Sequence, residues 1–224
     1  MRFHAIATDF DGTIAHYNDV DDATLAALER GKKSGRKLLL VTGPELPDLQ
    51  LVFPRLDLFD LVVVENGAVL FNPQSKEVRI LAEPPVPKFV AKLRAHKISP
   101  LSTGYVIVAT CEPHHIEVLK IIHEYGLELQ VIFNKGSEMV LPSGVNKATG
   151  LAAALEELGL SPHNAVGIGD AENDHAFMRL CECSAAVANA LPAVEETADL
   201  VLDKARGEGS WNSSTASSQM ISPT

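Results

Sequence analysis

An apolar run ends in two aspartates and a glycine turn at Ala5-Ile6-Ala7-Thr8-Asp9-Phe10-Asp11-Gly12-Thr13. Other short apolar runs alternate with longer stretches of helical periodicity along most of the chain. This alternation is typical of βαβ units, in which helices connect parallel strands that are buried on both faces. The sequence therefore predicts an α/β fold with a parallel sheet, and residues 4–10 form its first strand.

The other elements of this parallel core follow from the same alternation. Strands are predicted at residues 37–42, 61–64, 165–170, 185–188 and 200–202, with a short antiparallel pair at residues 68–71 and 78–81. Helices are predicted at residues 21–33, 146–158, 173–180 and 192–197. Pro44 follows the second strand and fits the first turn of another helix, where its missing N–H is no loss.

The middle of the chain breaks this pattern. A proline cluster at Glu83-Pro84-Pro85-Val86-Pro87 marks a boundary. Beyond it, the sequence predicts helices at residues 88–96 and 113–125 and strands at residues 105–110, 129–134 and 138–141. We expect an inserted α+β domain with an antiparallel sheet at residues 81–141, inside a discontinuous core of residues 1–80 and 142–206. Residues 207–224 are rich in Ser and Thr, and we predict a disordered tail there.

Composition limits the partners of the protein. The 224 residues include 19 Lys and Arg against 29 Asp and Glu, a formal net charge of −10 at pH 7. This acidity excludes a sequence-independent grip on nucleic acid. A small phosphorylated metabolite remains compatible, because a metal ion and one lysine can reverse the local sign. No apolar run approaches the roughly 20 residues that span a bilayer, so we expect a cytoplasmic protein without a membrane partner.

Two aspartates stand at the end of the first strand. Residues i and i+2 of a strand face the same side, so Asp9 and Asp11 start on one side of the chain. Ligands of open parallel sheets bind beyond the carboxyl ends of the strands. Two neighbouring carboxylates there favour an oxygen-seeking divalent cation such as Mg²⁺. The alternative is an acidic turn that caps a helix.

A second acidic cluster follows the strand at residues 165–170. Asp170 can complete the oxygen shell of a metal, and Asn173 and Asp174 can support it from the next turn. Taken alone, these acids are equally well explained by the favourable field at a helix N-terminus.

Two further positions suit a phosphate group. Thr42 and Gly43 end the second strand, where a hydroxyl and backbone N–H groups can bind phosphate oxygens. Lys147 opens a helix, where its ammonium can neutralise both a phosphate and a nucleophile. Each residue alone is more often structural, because strand-end threonines and solvated lysines are common.

The order of these motifs indicates a function more strongly than any one of them does alone. The chain has D-F-D-G-T, then V-T-G, then a lone Lys at a helix start, then G-D-x-x-N-D. This series resembles the haloacid dehalogenase-like (HAD) hydrolase superfamily, most of whose members are Mg²⁺-dependent phosphatases. Residues 65–68 and 142–147 are similar to its Cof-type group, which carries a large C2-type cap domain. The resemblance covers about residues 3–206 and implies a Rossmann-like doubly wound core with an inserted α+β cap.

The resemblance also implies roles for the matching residues. Asp9 would be the nucleophile and Asp11 the general acid and base, while Thr42 and Lys147 bind the transferring phosphoryl group. Mg²⁺ would be held by Asp9, the backbone carbonyl of Asp11 and Asp170. The remaining implied residues are Asn173 and Asp174 as support, and Gly43, Asn134, Lys135 and Glu138 as substrate contacts.

The implied reaction is hydrolysis of a small phosphomonoester, either a sugar phosphate or a phosphoglycolate-like compound, through an aspartyl-phosphate. Two alternatives stay open: a phosphomutase that uses the same intermediate, and a non-catalytic regulatory module that retains the fold. One departure concerns the substrate, since Pro44 stands where Cof-type members usually have Arg.

Overall fold

The computed structural model describes residues 2–134, 136–203 and 205. The predicted tail at residues 207–224 and the predicted substrate contact Lys135 lie outside the described residues. The strands are β1 (Ala5–Thr8), β2 (Lys37–Val41), β3 (Leu61–Val64), β4 (Val69–Phe71), β5 (Val78–Ile80), β6 (Ser102–Thr103), β7 (Val108–Cys111), β8 (Leu129–Asn134), β9 (Ser137–Pro142), β10 (Ala165–Gly169), β11 (Cys183–Ala186) and β12 (Leu200–Val201). The α-helices are α1 (Asp22–Lys33), α2 (Leu46–Val52), α3 (Pro87–Ala95), α4 (His115–Glu124), α5 (Lys147–Glu157), α6 (His175–Leu180) and α7 (Pro192–Glu195).

Eight strands form one large sheet in the order β12-β11-β10-β1-β2-β3-β4-β5. The strands from β12 to β3 are parallel, and β4 and β5 add an antiparallel edge. The chain leaves β1 on one side toward β2 and returns on the other side as β10. The predicted parallel sheet is therefore confirmed, and β1 lies at its topological switch point, where such sheets bind ligands.

A second sheet is antiparallel and has the order β6-β7-β9-β8. We call it the small sheet. Helices α3 and α4 bury one of its faces, where Phe89, Leu93 and Ile121 pack with Val140. Residues of the opposite face, among them Met139 and Leu141, join the core cluster of the large sheet. The alternation along β9 thus separates residues that face the helices from residues that face the large sheet.

Two local predictions differ from the structure, and one short strand was not predicted. Pro44 precedes α2 instead of entering it, because its carbonyl oxygen accepts a hydrogen bond from Glu65 N and its segment stays extended. The predicted strand at residues 105–110 begins only at Val108, because Gly104 N donates to Ile107 O and closes a turn. The short strand β6 had no clear signal in the sequence. None of the described helices combines the length and apolar character that a membrane crossing requires.

Candidate active site

One buried lysine connects the carboxyl ends of the central strands. Lys147 Nζ donates to Asp9 Oδ1 at 2.7 Å and to Asp174 Oδ1 at 2.6 Å. The relative exposure of the three residues is 2% for Lys147, 4% for Asp9 and 0% for Asp174. Two carboxylates therefore share one ammonium group in a space that water hardly reaches.

The N-terminus of α5 fixes the position of this lysine. Asn146 is the N-cap, and its side chain accepts hydrogen bonds from the N–H groups of Ala148 and Thr149. A Cβ added to Gly67 would lie 1.9 Å from the carbonyl oxygen of Asn146. Gly67 also has a φ of +105°, which side-chain-bearing residues rarely adopt. The Asn66-Gly67 turn after β3 therefore permits the close packing that brings Lys147 to Asp9.

Asp174 organises the second acidic cluster. Its Oδ2 accepts hydrogen bonds from the N–H groups of Asp170 at 2.9 Å and Ala171 at 3.0 Å. A Cβ at Gly169 would lie 2.7 Å from the Cβ of Asp174, so glycine is needed there. Asp170 in turn accepts a hydrogen bond from Thr13 Oγ1 at 3.3 Å. Asp174 thus orients both the lysine and the end of β10.

The electrostatics of this cluster favour a cation. Burial and the carboxylates of Asp174 and Asp170 together raise the pKa of Asp9 to about 7, although the ammonium of Lys147 acts against them. Burial alone lowers the pKa of Lys147, but Asp174 and Asp9 outweigh burial and hold that pKa above its ordinary value. Lys147 therefore stays charged, and the three carboxylates exceed its single positive charge.

The donor set fits a hard divalent ion. Carboxylate oxygens of Asp9, Asp170 and Asp174 all lie within 4.8 Å of one another. Such oxygen-only sets suit Mg²⁺. Both oxygens of Asp174 already accept hydrogen bonds from the protein, so Asp9 and Asp170 are the better candidates for direct ligands. The Asp11 side chain is not one of these three carboxylates and lines the neighbouring cavity instead.

Thr42, directly after β2, has an unsatisfied hydroxyl. The residue is fully buried, and its Oγ1 has no hydrogen-bond partner among the described residues. A buried hydroxyl without a partner costs free energy, so it favours binding of a group that accepts a hydrogen bond from it. The N–H of Thr42 is already used, because it donates to Val63 O at 2.9 Å.

A cavity of about 600 Å³ opens between the two sheets. The large-sheet side contributes Asp11 and Gly43, both predicted site residues. The small-sheet side includes Ser102, Ile107, Asn134, Ser137 and Met139. Asn134 was also a predicted contact, and its Oδ1 is buried without a hydrogen-bond partner in the described part of the chain.

Two predicted residues lie elsewhere. Glu138 is fully buried and does not line the cavity; it contacts His115 Nδ1 at 3.1 Å on the helix-covered face of the small sheet. Its prediction as a substrate contact is therefore corrected: alternation along β9 turns Ser137 and Met139 toward the cavity and Glu138 away from it. The amide nitrogen of Asn173 donates to Asn66 Oδ1 at 3.1 Å and therefore does not bind the acidic cluster.

Sequence reasoning missed two residues of the turn after β3. Asn66 bridges Asn173 and Met139, since its own Nδ2 lies 2.9 Å from Met139 Sδ. Glu65 is fully buried, although an acid in a turn is normally solvated. The Glu65-Asn66-Gly67 motif did signal a turn, but nothing in it signalled long-range contacts.

Known proteins are similar to this chain in sequence and in fold. A family model for haloacid dehalogenase-like hydrolases matches residues 6–102 and 114–211. A phosphoglycolate phosphatase of Methanothermobacter thermautotrophicus is 29% identical over 214 residues, which are 92% of this chain and 94% of that protein. A solved structure from Thermoplasma acidophilum has a TM-score of 0.77 at 19% identity and covers 93% of this chain and 95% of its own. A solved sugar phosphatase of HAD subclass IIB has a TM-score of 0.69 at 19% identity and covers 88% of this chain and 92% of its own.

Proposed function

The chain belongs to the haloacid dehalogenase-like hydrolases, and we propose that it is a Cof-type member that hydrolyses phosphoglycolate or a similar small phosphomonoester through a phosphorylated Asp9. Its class of activity is that of a phosphomonoester hydrolase. The observation that carries the proposal is the buried Asp9 carboxylate at the end of the central strand, held 2.7 Å from the ammonium group of Lys147. This geometry orients one carboxylate oxygen of Asp9, two residues before Asp11, which lines the cavity.

In the first step, the Asp9 carboxylate attacks phosphorus in line with the ester oxygen. The bond between phosphorus and the ester oxygen breaks, and Asp11 gives a proton to the departing alkoxide. Asp11 lines the cavity, so it faces the space in which the leaving group would lie. The product alcohol departs, and the phosphoryl group stays on Asp9.

In the second step, water attacks the phosphorus of the phosphorylated Asp9. Asp11 now accepts a proton from that water, and the bond between phosphorus and the Asp9 oxygen breaks. Inorganic phosphate and the free Asp9 carboxylate are the products. The same residue thus acts as acid and then as base, which returns the site to its starting protonation state.

Lys147 and Thr42 act on the charge of the phosphoryl group. The ammonium of Lys147 is fixed before substrate arrives, so no reorganisation is needed during the reaction. The unsatisfied hydroxyl of Thr42 can donate to a phosphoryl oxygen. Gly43, which lines the cavity, leaves room for the substrate beside them.

Mg²⁺ is proposed to bind at Asp9, the backbone carbonyl of Asp11 and Asp170, with Asp174 as a supporting residue. When bound, it would neutralise the negative charge that the substrate adds to an already acidic cluster. The excess of carboxylates over ammonium groups in the cluster supports this assignment.

The proposed substrate rests mainly on similarity. The full-length relative at 29% identity is named a phosphoglycolate phosphatase. A second candidate, hydrolysis of a sugar phosphate, is favoured by the cavity itself. Its volume of about 600 Å³ exceeds what a two-carbon substrate fills, and Ser102, Asn134 and Ser137 offer it hydroxyl and amide groups that suit a polyol.

A substrate panel tests the proposal. Phosphoglycolate and a set of sugar phosphates are incubated with the wild type, Asp9→Asn and the exposed control Asp22→Asn, with and without Mg²⁺. We expect release of inorganic phosphate without a sugar isomer, highest kcat/KM on phosphoglycolate, and no turnover by Asp9→Asn. Isomerised sugar without phosphate release would instead indicate a phosphomutase, and an inactive wild type would indicate a non-catalytic module.

A further inference from the structure

The side chain of Glu65 connects the two sheets. Its carboxylate accepts three backbone hydrogen bonds, each at 2.8 Å: Oε1 from Tyr105 N, and Oε2 from Val106 N and Ile107 N. Glu65 directly follows β3 of the large sheet, whereas residues 105–107 connect β6 and β7 of the small sheet. Three successive amides around one carboxylate form an anion-binding concavity, which a residue of the opposite sheet occupies.

The local backbone on both sides is adapted to this contact. Glu65 and Asn66 have φ values of +52° and +51°, a region that residues other than glycine rarely adopt. On the small-sheet side, a Cβ added to Gly104 would lie 2.4 Å from Glu65 Oε1. A strained turn and a position restricted to glycine therefore meet at the same carboxylate, as expected of a site rather than of a chance surface contact.

The held segment forms part of the cavity wall. Ile107 lines the cavity, and Ser102, on the strand that precedes the segment, lines it too. Ser102 Oγ also donates to Glu45 of the large-sheet side, which lines the same cavity. The position of the segment thus determines how the small sheet closes the cavity over the large one.

We propose that Glu65 is a positioning residue that holds the small sheet over the active site and shapes its substrate-binding wall; this inference rests on the proposed function. Glu65 does not touch the acidic cluster or the reacting atoms. If the small sheet moves away, the carboxylate and three amides lose charge-assisted hydrogen bonds at once, so this side chain stabilises the closed arrangement.

Two variants perturb the contact from opposite sides. Glu65→Gln keeps the shape but replaces an accepting oxygen with an N–H₂ group that faces a backbone N–H. Gly104→Ala keeps the glutamate at position 65 but adds a methyl group that displaces its carboxylate. Glu77→Gln, at an exposed position in the turn before β5, is the matched control. Amide hydrogen exchange at residues 105–107, steady-state kinetics with phosphoglycolate and the inhibition constant of inorganic phosphate are measured for each.

For both variants, we expect faster exchange at residues 105–107 and a loss of at least about tenfold in kcat/KM, the effect of losing a hydrogen bond to a charged group. The inhibition constant of inorganic phosphate should stay within about twofold, because phosphate contacts groups of the large-sheet side that Glu65 does not hold. Glu77→Gln should match the wild type in all three measurements.

Other results would overturn the inference. Faster exchange with unchanged kcat/KM would reduce Glu65 to a structural role, and equal losses of catalysis and phosphate binding would point to general destabilisation. Unchanged exchange in Glu65→Gln would show that the carboxylate does not hold the segment. A wild type without turnover of any phosphomonoester would overturn the proposed function instead. The exchange data alone would then show whether the Glu65 carboxylate holds residues 105–107.

Discussion

Lys147 Nζ lies 2.7 Å from Asp9 Oδ1 although 138 residues separate the two in the chain. The distance is set by the parallel pairing of β1 with β10 and by the packing of α5 against the turn after β3. The same lysine also binds Asp174, so the first and last acidic motifs of the sequence meet at one ammonium group. The chemistry proposed for the protein depends on this meeting point.

Replacing the shared lysine should affect both stability and catalysis. Lys147→Met keeps much of the volume but leaves Asp9 and Asp174 buried without a counter-charge. Breaking a buried ion pair from one side typically costs ~3–5 kcal/mol, and losing a preorganised charge should lower kcat by about 10²–10³. Urea unfolding of metal-free protein and steady-state kinetics check the two numbers. A variant with wild-type kcat would contradict the role of Lys147.

Thr42→Val should separate catalysis from stability. The hydroxyl of Thr42 has no hydrogen-bond partner in the described part of the chain, so its removal leaves no protein group unpaired. We expect an unchanged or slightly higher melting temperature together with a loss of about tenfold to 100-fold in kcat/KM, since a hydrogen bond to a charged phosphoryl oxygen is lost. A lower melting temperature with full activity would show that the hydroxyl is structural.

Metal binding should be visible as stabilisation. A cation that binds only the folded state raises the melting temperature, and the rise grows with the ratio of the cation concentration to its dissociation constant. We expect millimolar Mg²⁺ to raise the melting temperature of the wild type, and a chelator to reverse the shift and abolish turnover. Asp170→Asn should lose most of this shift, and the exposed control Asp22→Asn should retain it. An equal shift in Asp170→Asn and the wild type would exclude Asp170 as a ligand.

Asp199, which is not one of the catalytic acids, should make the free energy of unfolding depend on pH. The hydroxyl and N–H of Ser184 both donate to Asp199 Oδ2, at 2.7 Å and 2.8 Å, and these bonds lower the pKa of Asp199 below 3.8. Because the folded-state pKa is depressed, the stabilisation is complete above 3.8 and is lost as the pH falls through the lower folded-state value.

Asp199→Asn should therefore be less stable than the wild type at neutral pH, by at most ~1 kcal/mol because the carboxylate is exposed and screened. The difference should shrink below the ordinary pKa of the carboxyl group. Urea unfolding at a series of pH values measures it. A difference that stays constant down to strongly acidic pH would mean that the charge of Asp199 does not contribute.

The sequence was sufficient to predict the parallel core and the meeting of Asp9, Lys147, Asp170 and Asp174. These residues stand at strand ends or helix starts, and parallel strands bring such positions to one edge of the sheet. The predicted α5 illustrates this, because its N-cap motif at Asn146 and the following lysine are both local signals.

The contacts between the two sheets could not be predicted in the same way. Glu65 and Glu138 are both isolated acids near turns, where acids are usually solvated, and the sequence predicted burial for neither. The structure buries both, one against three backbone amides and the other beside His115. Whether these two acids are buried depends on where the small sheet lies. Contacts between residues that are distant in sequence determine that position.

The most direct test of the proposed mechanism is to trap the phosphoryl group on Asp9. Wild-type protein is quenched in acid during turnover of phosphoglycolate, treated with borohydride, which reduces an acyl phosphate to an alcohol, and analysed by peptide mass spectrometry. We expect homoserine at position 9, in the presence of substrate only. Steady turnover with an unmodified Asp9, or with the reduced residue at another acid, would contradict it.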